Sequence, residues 1–134
     1  MIFDKDKIQK ITLFENLTNA KVKDFLDEED KIVIIIENGD LGKAIGREGK
    51  NIKMVENLMK KRLKIIEFNQ DPLKFVKNFI YPIKPENIAL NDDFVEIKSK
   101  DRKSKGLLIG RERKNLNDLG KLLKGYFNIN VRVL

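Results

Sequence analysis

Eight residues written twice constrain this chain more than any other feature. Residues 45–52 read IGREGKNI and residues 109–116 read IGRERKNL, an offset of 64 in a chain of 134 residues. The likeness extends outward from the motif. Gly42 matches Gly106 at the same offset, and the apolar residues Ile52, Val55, Leu58 and Met59 are matched by Leu116, Leu119, Leu122 and Leu123. That i, i+3, i+6, i+7 spacing predicts an amphipathic helix with one buried face directly after each motif. Duplication at half the length predicts two domains, residues 1–70 and 71–134.

The flanking pattern repeats as well. In the first half, AKVKDFL at 20–26 and KIVIII at 31–36 read as strands joined by the acidic turn DEED, and LKIIEF at 63–68 reads as a third strand. In the second half, ENIAL at 86–90 and FVEIK at 94–98 flank Asn91, Asp92 and Asp93, which are good turn formers, and INVRV at 129–133 alternates apolar and polar residues. A helix opens each half: Ile8, Ile11 and Phe14 give the first its stripe, and DPLKFVKNFI gives the second, with Asp71 as N-cap and Pro72 in the first helical position. Both halves therefore read helix, strand, strand, short helix, motif, helix, strand, an α+β class with three strands per sheet. The connection at Asn69 and Gln70 is short, which predicts a rigid tandem with both motifs on one surface. Each half of about 65 residues would bury only ~60% of its unfolded surface, so mutual support is expected.

Charge follows the repeat. Residues 41–64 carry +6 and residues 98–124 carry +7, so with a total of +7 the rest of the chain sums to −6. Cations concentrated around two glycine motifs point to a polyanionic partner more firmly than a total does. The run KKRLK at 60–64 has a second explanation, since the dipole at a helix C-terminus attracts cations without any ligand. The cluster Asp27, Glu28, Glu29 and Asp30 reads as a solvated hairpin turn, because no calcium-loop spacing surrounds it. Seven of the phenylalanines fall mostly inside predicted elements and read as core. With no cysteine and no histidine, disulfides, thiolate zinc sites and Cys or His nucleophiles are excluded. No P-loop or nucleophile arrangement is present, so neither an enzyme, a cofactor, a metal site nor a small-molecule substrate is expected. No stretch reaches the ~18 apolar residues of a membrane span, and MIFDKDKIQK has acids where a signal peptide would be apolar, so a cytoplasmic, membrane-free protein is expected.

A glycine, two polar residues and a second glycine between two helices make a turn that a ligand's backbone can approach closely. The following helix points its N–H groups and positive dipole end at that space, with Arg47, Lys50 and Lys53 adding charge. The order of elements, with IGREG between helices, resembles the KH domain in its type II arrangement, and the second half resembles it again. Two such domains adjoining without another module resemble the small archaeal NusA-like family of transcription termination and antitermination factors. The resemblance implies a GxxG loop clamping about four unpaired nucleotides beside an apolar groove for their bases. On that basis Ile45, Gly46, Arg47, Glu48, Gly49, Lys50 and Lys53 form the first nucleic-acid site. Gly110, Arg111, Glu112, Arg113 and Lys114 form the second, and Ile52 flanks the first. Ile34 or Ile36 is expected to floor the groove, and Glu48 is expected to face solvent or pair with Arg47 or Lys50.

The second loop departs from the pattern. Arg113 puts a side chain where Gly49 has none, which either weakens binding or supplies a guanidinium that grips phosphate bidentately. The leading reading is a non-catalytic single-stranded RNA-binding protein, with RNA polymerase or a transcription complex as a further partner. The alternatives are a ribosome-associated RNA-binding or assembly factor, since type II KH domains also occur in a ribosomal protein and in Era-like GTPases, and a protein-interaction module with degenerate KH folds that uses the acidic first 40 residues.

Overall fold

The computed structural model describes residues 5–134. Residues 1–4, on which part of the reading of the N-terminal decapeptide rests, lie outside the described residues. The chain forms two compact units that divide between Asn69 and Gln70. No described helix is long and apolar enough to cross a membrane.

The first unit runs α1 (Lys5–Thr18), β1 (Val22–Asp27), β2 (Lys31–Ile36), α2 (Leu41–Ile45), a 3-10 turn at Arg47–Gly49, α3 (Lys50–Met59) and β3 (Arg62–Glu67). Its sheet has the order β1-β2-β3. The tight hairpin leaves β1 antiparallel to β2, with Phe25 opposite Ile34. The crossover through α2 and α3 returns β3 parallel to β2, with Ile34 opposite Ile65. Ile32, Val33, Ile34, Ile35 and Ile36 are all buried, which is why KIVIII is a continuous apolar run and not an alternating one. Ile32, Ile34 and Ile36 meet Phe14, Phe25, Ala44 and Val55 in the core.

Two members of the expected stripes are corrected. Ile8 is 50% exposed and Leu58 is 55% exposed. At 3.6 residues per turn a step of three falls ~60° short of a full turn, so Ile8 lies ~120° from Phe14, outside a stripe about 100° wide. Leu58 has drifted equally far from Ile52. The acidic cluster is also more than a solvated turn. Asp27 ends β1, and its carboxylate bridges Lys10 of α1 and Lys61 before β3, each at 2.7 Å.

The second unit repeats the order: α4 (Pro72–Ile80), β4 (Asn87–Asn91), β5 (Phe94–Lys98), α5 (Arg102–Ile109), a 3-10 turn at Arg111–Arg113, α6 (Lys114–Phe127) and β6 (Asn130–Val133). Its sheet, β4-β5-β6, again joins an antiparallel hairpin to a parallel crossover. The Asp71 carboxylate accepts the Leu73 N–H at 3.0 Å with Pro72 next to it, as expected of this helix start. Phe75, Val76, Val95, Ile97 and Leu123 are buried, and the Phe75 ring meets Tyr126 edge-on and Phe127 at a tilt. Here Leu122, the counterpart of Leu58, is buried. α6 has four residues more than α3, and those last turns bring Tyr126 and Phe127 onto α4.

Candidate nucleic-acid interface

Each glycine motif forms the turn between two helices, and the two turns have nearly the same backbone. Gly46 has φ 76°, ψ 171° and Gly110 has φ 80°, ψ 168°, a region that essentially only glycine occupies. Both amides close the preceding helix, donating to the Gly42 and Gly106 carbonyls at 2.9 Å. Glu48 (φ 55°) and Glu112 (φ 54°) follow in left-handed conformations, exposed at the tip of each turn, so Glu48 faces solvent. Gly49 (φ 74°, ψ 16°) and Arg113 (φ 62°, ψ 21°) then start the next helix, also left-handed, and their amides donate to Gly46 and Gly110 at 3.1 Å.

The two glycines of the motif therefore answer different demands. A Cβ on Gly46 would stand 2.7 Å from the Asn51 side chain and 2.9 Å from its backbone nitrogen, and Gly110 meets Asn115 in the same way. A Cβ on Gly49 would meet nothing within 4 Å. The last position needs only a left-handed backbone, which a non-glycine residue adopts at a cost of ~1–2 kcal/mol. Arg113 does so, and the turn survives.

One asparagine, not singled out in the sequence, holds each turn shut. Asn51 donates through Nδ2 to the Lys43 carbonyl at 2.8 Å, and Asn115 donates to the Leu107 carbonyl at 3.1 Å. Each ties the first turn of one helix to the end of the preceding one. Their identity in both copies, KNI and KNL, was the available signal.

No side chain caps the N-terminus of α3 or α6. The Lys50 and Lys114 amides donate to the Arg47 and Arg111 carbonyls of the 3-10 turn, and the positive end of each helix dipole favours an anion in the space beside the loop. Arg47, Glu48, Lys50 and Lys53 line an open recess beside the first loop. Ile45 and Ile52 are half-buried next to it. Ile34 and Ile36 are corrected: both are fully buried core residues, held there by the pleat, and cannot floor an open groove. Beside the second loop, Arg113, Lys121 and Lys124 surround a recess walled by Phe94, Leu116 and Val131, with Gly120 between them. Arg111 and Lys114 are exposed on the same turn.

The run KKRLK is partly committed to structure. Lys60 ends α3 in a left-handed conformation, and Lys61 Nζ binds both the Asp27 carboxylate and the Glu28 carbonyl at 2.7 Å. Burial pushes the Lys64 ammonium below its ordinary value, assisted by nearby Lys31 and opposed by Glu28. Among the described residues no acidic cluster could hold a metal ion.

The family described as NusA-like second KH domain matches residues 3–71. The chain is 34% identical over 133 residues to the probable transcription termination protein NusA of Methanococcus vannielii, covering 94% of this chain and 76% of that one. It is 31% identical over 127 residues to the protein of the same description from Methanocaldococcus jannaschii, covering 92% and 69%. The Halococcus morrhuae protein of that description is 27% identical over 124 residues, covering 91% and 89%. Among solved structures, "Crystal structure of APE1850" superposes with a TM-score of 0.72 at 24% identity, covering 98% of this chain and 100% of that one. That likeness concerns the fold.

Proposed function

The chain belongs to the NusA-like KH-domain family, and on that premise we propose that it is a single-stranded RNA-binding protein that acts, without catalysis, in transcription termination or antitermination. The observation that carries the proposal is the twofold construction of one anion-receiving turn. The same backbone is built from GREG and from GRER, each time with an uncapped helix behind it and lysine or arginine around it. A structural turn would not need those charges twice.

In this mechanism the sugar-phosphate backbone of an unpaired strand lies along each turn. Helix amides hold phosphate oxygens, and Arg47, Lys50 and Lys53 neutralise charge at the first loop. Arg111, Arg113 and Lys114 do so at the second. Glu48 also borders the first recess, where the three cations Arg47, Lys50 and Lys53 outnumber it. The relatives' description as probable transcription termination proteins supports a transcription complex as the protein partner.

Fluorescence anisotropy of a labelled, mixed-sequence, single-stranded RNA at two salt concentrations tests the proposal. Affinity should fall with salt, with a log-log slope of about −0.7 per phosphate contact. No binding at either salt would sink it.

A further inference from the structure

The two halves share a loop but differ in the strand edge beside it. β3 and β6 are edge strands of their sheets. In a parallel ladder alternate amides face the neighbouring strand. In β3 and the residue after it the even-numbered amides face β2, as Phe68 shows by donating to the Ile36 carbonyl at 2.8 Å. Leu63 therefore points outward, and its N–H is taken by the Glu56 carboxylate at 2.9 Å. Likewise Asn130 and Leu134 donate to Asp93 and Ile97 of the hairpin side at 2.7 and 2.8 Å. The Val131 amide between them thus points outward as well.

At the offset of 64 residues the counterpart of Glu56 is Gly120. It carries no acceptor, and a Cβ built there would meet only Val131 Cγ1, at 3.7 Å. What the first half fills with a carboxylate, the second leaves as an open recess beside Leu116 and Phe94, with Arg113, Lys121 and Lys124 around it. Within a strand a residue's N–H and C=O leave on the same side, so Val131 offers a donor beside an acceptor. Unpaired nucleobases present the complementary pair on their Watson–Crick edges.

We propose that the second half, whose loop lacks the closing glycine, is the half that receives a base: an unpaired nucleobase occupies the recess over Gly120 against the edge of Val131, while Glu56 closes the matching position and leaves the first half a phosphate clamp. This rests on the RNA-binding reading above. Arg113 then has a place in it, since it borders the recess where phosphates flanking the base would run.

The test uses the full chain, a labelled single-stranded RNA and an otherwise identical RNA with abasic sites. In amide-resolved NMR titrations of the wild type, Val131 should shift with the ordinary RNA and stay put with the abasic one, and Leu63 should move with neither. Gly120→Glu, which installs the first half's residue, should weaken binding of ordinary RNA about tenfold. Gly125→Glu adds the same charge to α6 where nothing lies within 4 Å, and should weaken it far less. Equal affinity of the two variants, or a Leu63 shift in place of Val131, would overturn the assignment while leaving RNA binding intact. If Gly120→Glu does not fold, the wild-type shifts decide alone. If the wild type binds neither RNA, the functional reading fails and this assignment falls with it.

Discussion

At the scale of single residues, the repeated motif separates two kinds of glycine. Gly46 is required twice, by a backbone region closed to other residues and by the approach of Asn51. Gly49 is required once, by a left-handed φ with open space around it. Gly46→Ala should therefore cost at least about 2 kcal/mol and Gly49→Ala about 1 kcal/mol, as read by urea unfolding. A reversed order would contradict the geometry. For binding the ranking inverts in interest, because open space is where phosphate approaches. Gly49→Asp should keep its circular dichroism spectrum and lose RNA affinity, since it brings a carboxylate to the anion site. Unchanged affinity in a folded variant would remove the first loop from the interface.

At the scale of elements, Asp27 ties three of them: β1 through its own position, α1 through Lys10 and the start of β3 through Lys61. Burial is the largest influence on its carboxyl and would raise it, but the hydrogen bonds from Lys10 and Lys61 together hold it below the ordinary 3.8. The same bond to Asp27, with help from Asp6, raises Lys10 above 10.5. A depressed acid contributes stability above its unfolded value and loses it as pH falls through the folded one. A raised lysine contributes below 10.5 and loses it as pH climbs through its folded value. The tie is thus complete between about pH 4 and pH 10. Asp27→Asn should destabilise the first unit by ~1 kcal/mol at pH 7, discounted for partial exposure. The gap to wild type in thermal unfolding should close below pH 3.8; a gap that persists at pH 2 would show that the lost stability is not the ion pair's.

At the scale of the whole molecule, two binding units in one chain make the second contact with a single RNA intramolecular. Where one strand reaches both, affinity should exceed that for a tetranucleotide by ~10²–10⁴. Titrating RNAs of increasing length reads this directly: a step at the length that spans both loops is expected, and a smooth, shallow rise would mean that only one unit binds.

The order of elements and the position of both turns were legible along the chain, because these depend on local chemistry. Asp71 and Pro72 mark a helix start, apolar runs and alternation mark strands, and Gly46 and Gly110, repeated at one offset, occupy a backbone that essentially only glycine follows. The sequence also showed where positive charge concentrates. Which apolar residues form the core was settled by packing: Ile8 and Leu58 lie outside the buried face, Leu122 at the position equivalent to Leu58 is covered in the second unit, and Ile34 and Ile36 are sunk in the core. The tertiary structure likewise turned an acidic cluster and a basic run into partners through Asp27 and Lys61, 34 residues apart. The contrast between Glu56 and Gly120 acquired meaning in the same way. A carboxylate and an absent side chain differ in function here because the crossover returns a strand edge beside each of them, and no spacing along the chain records that meeting.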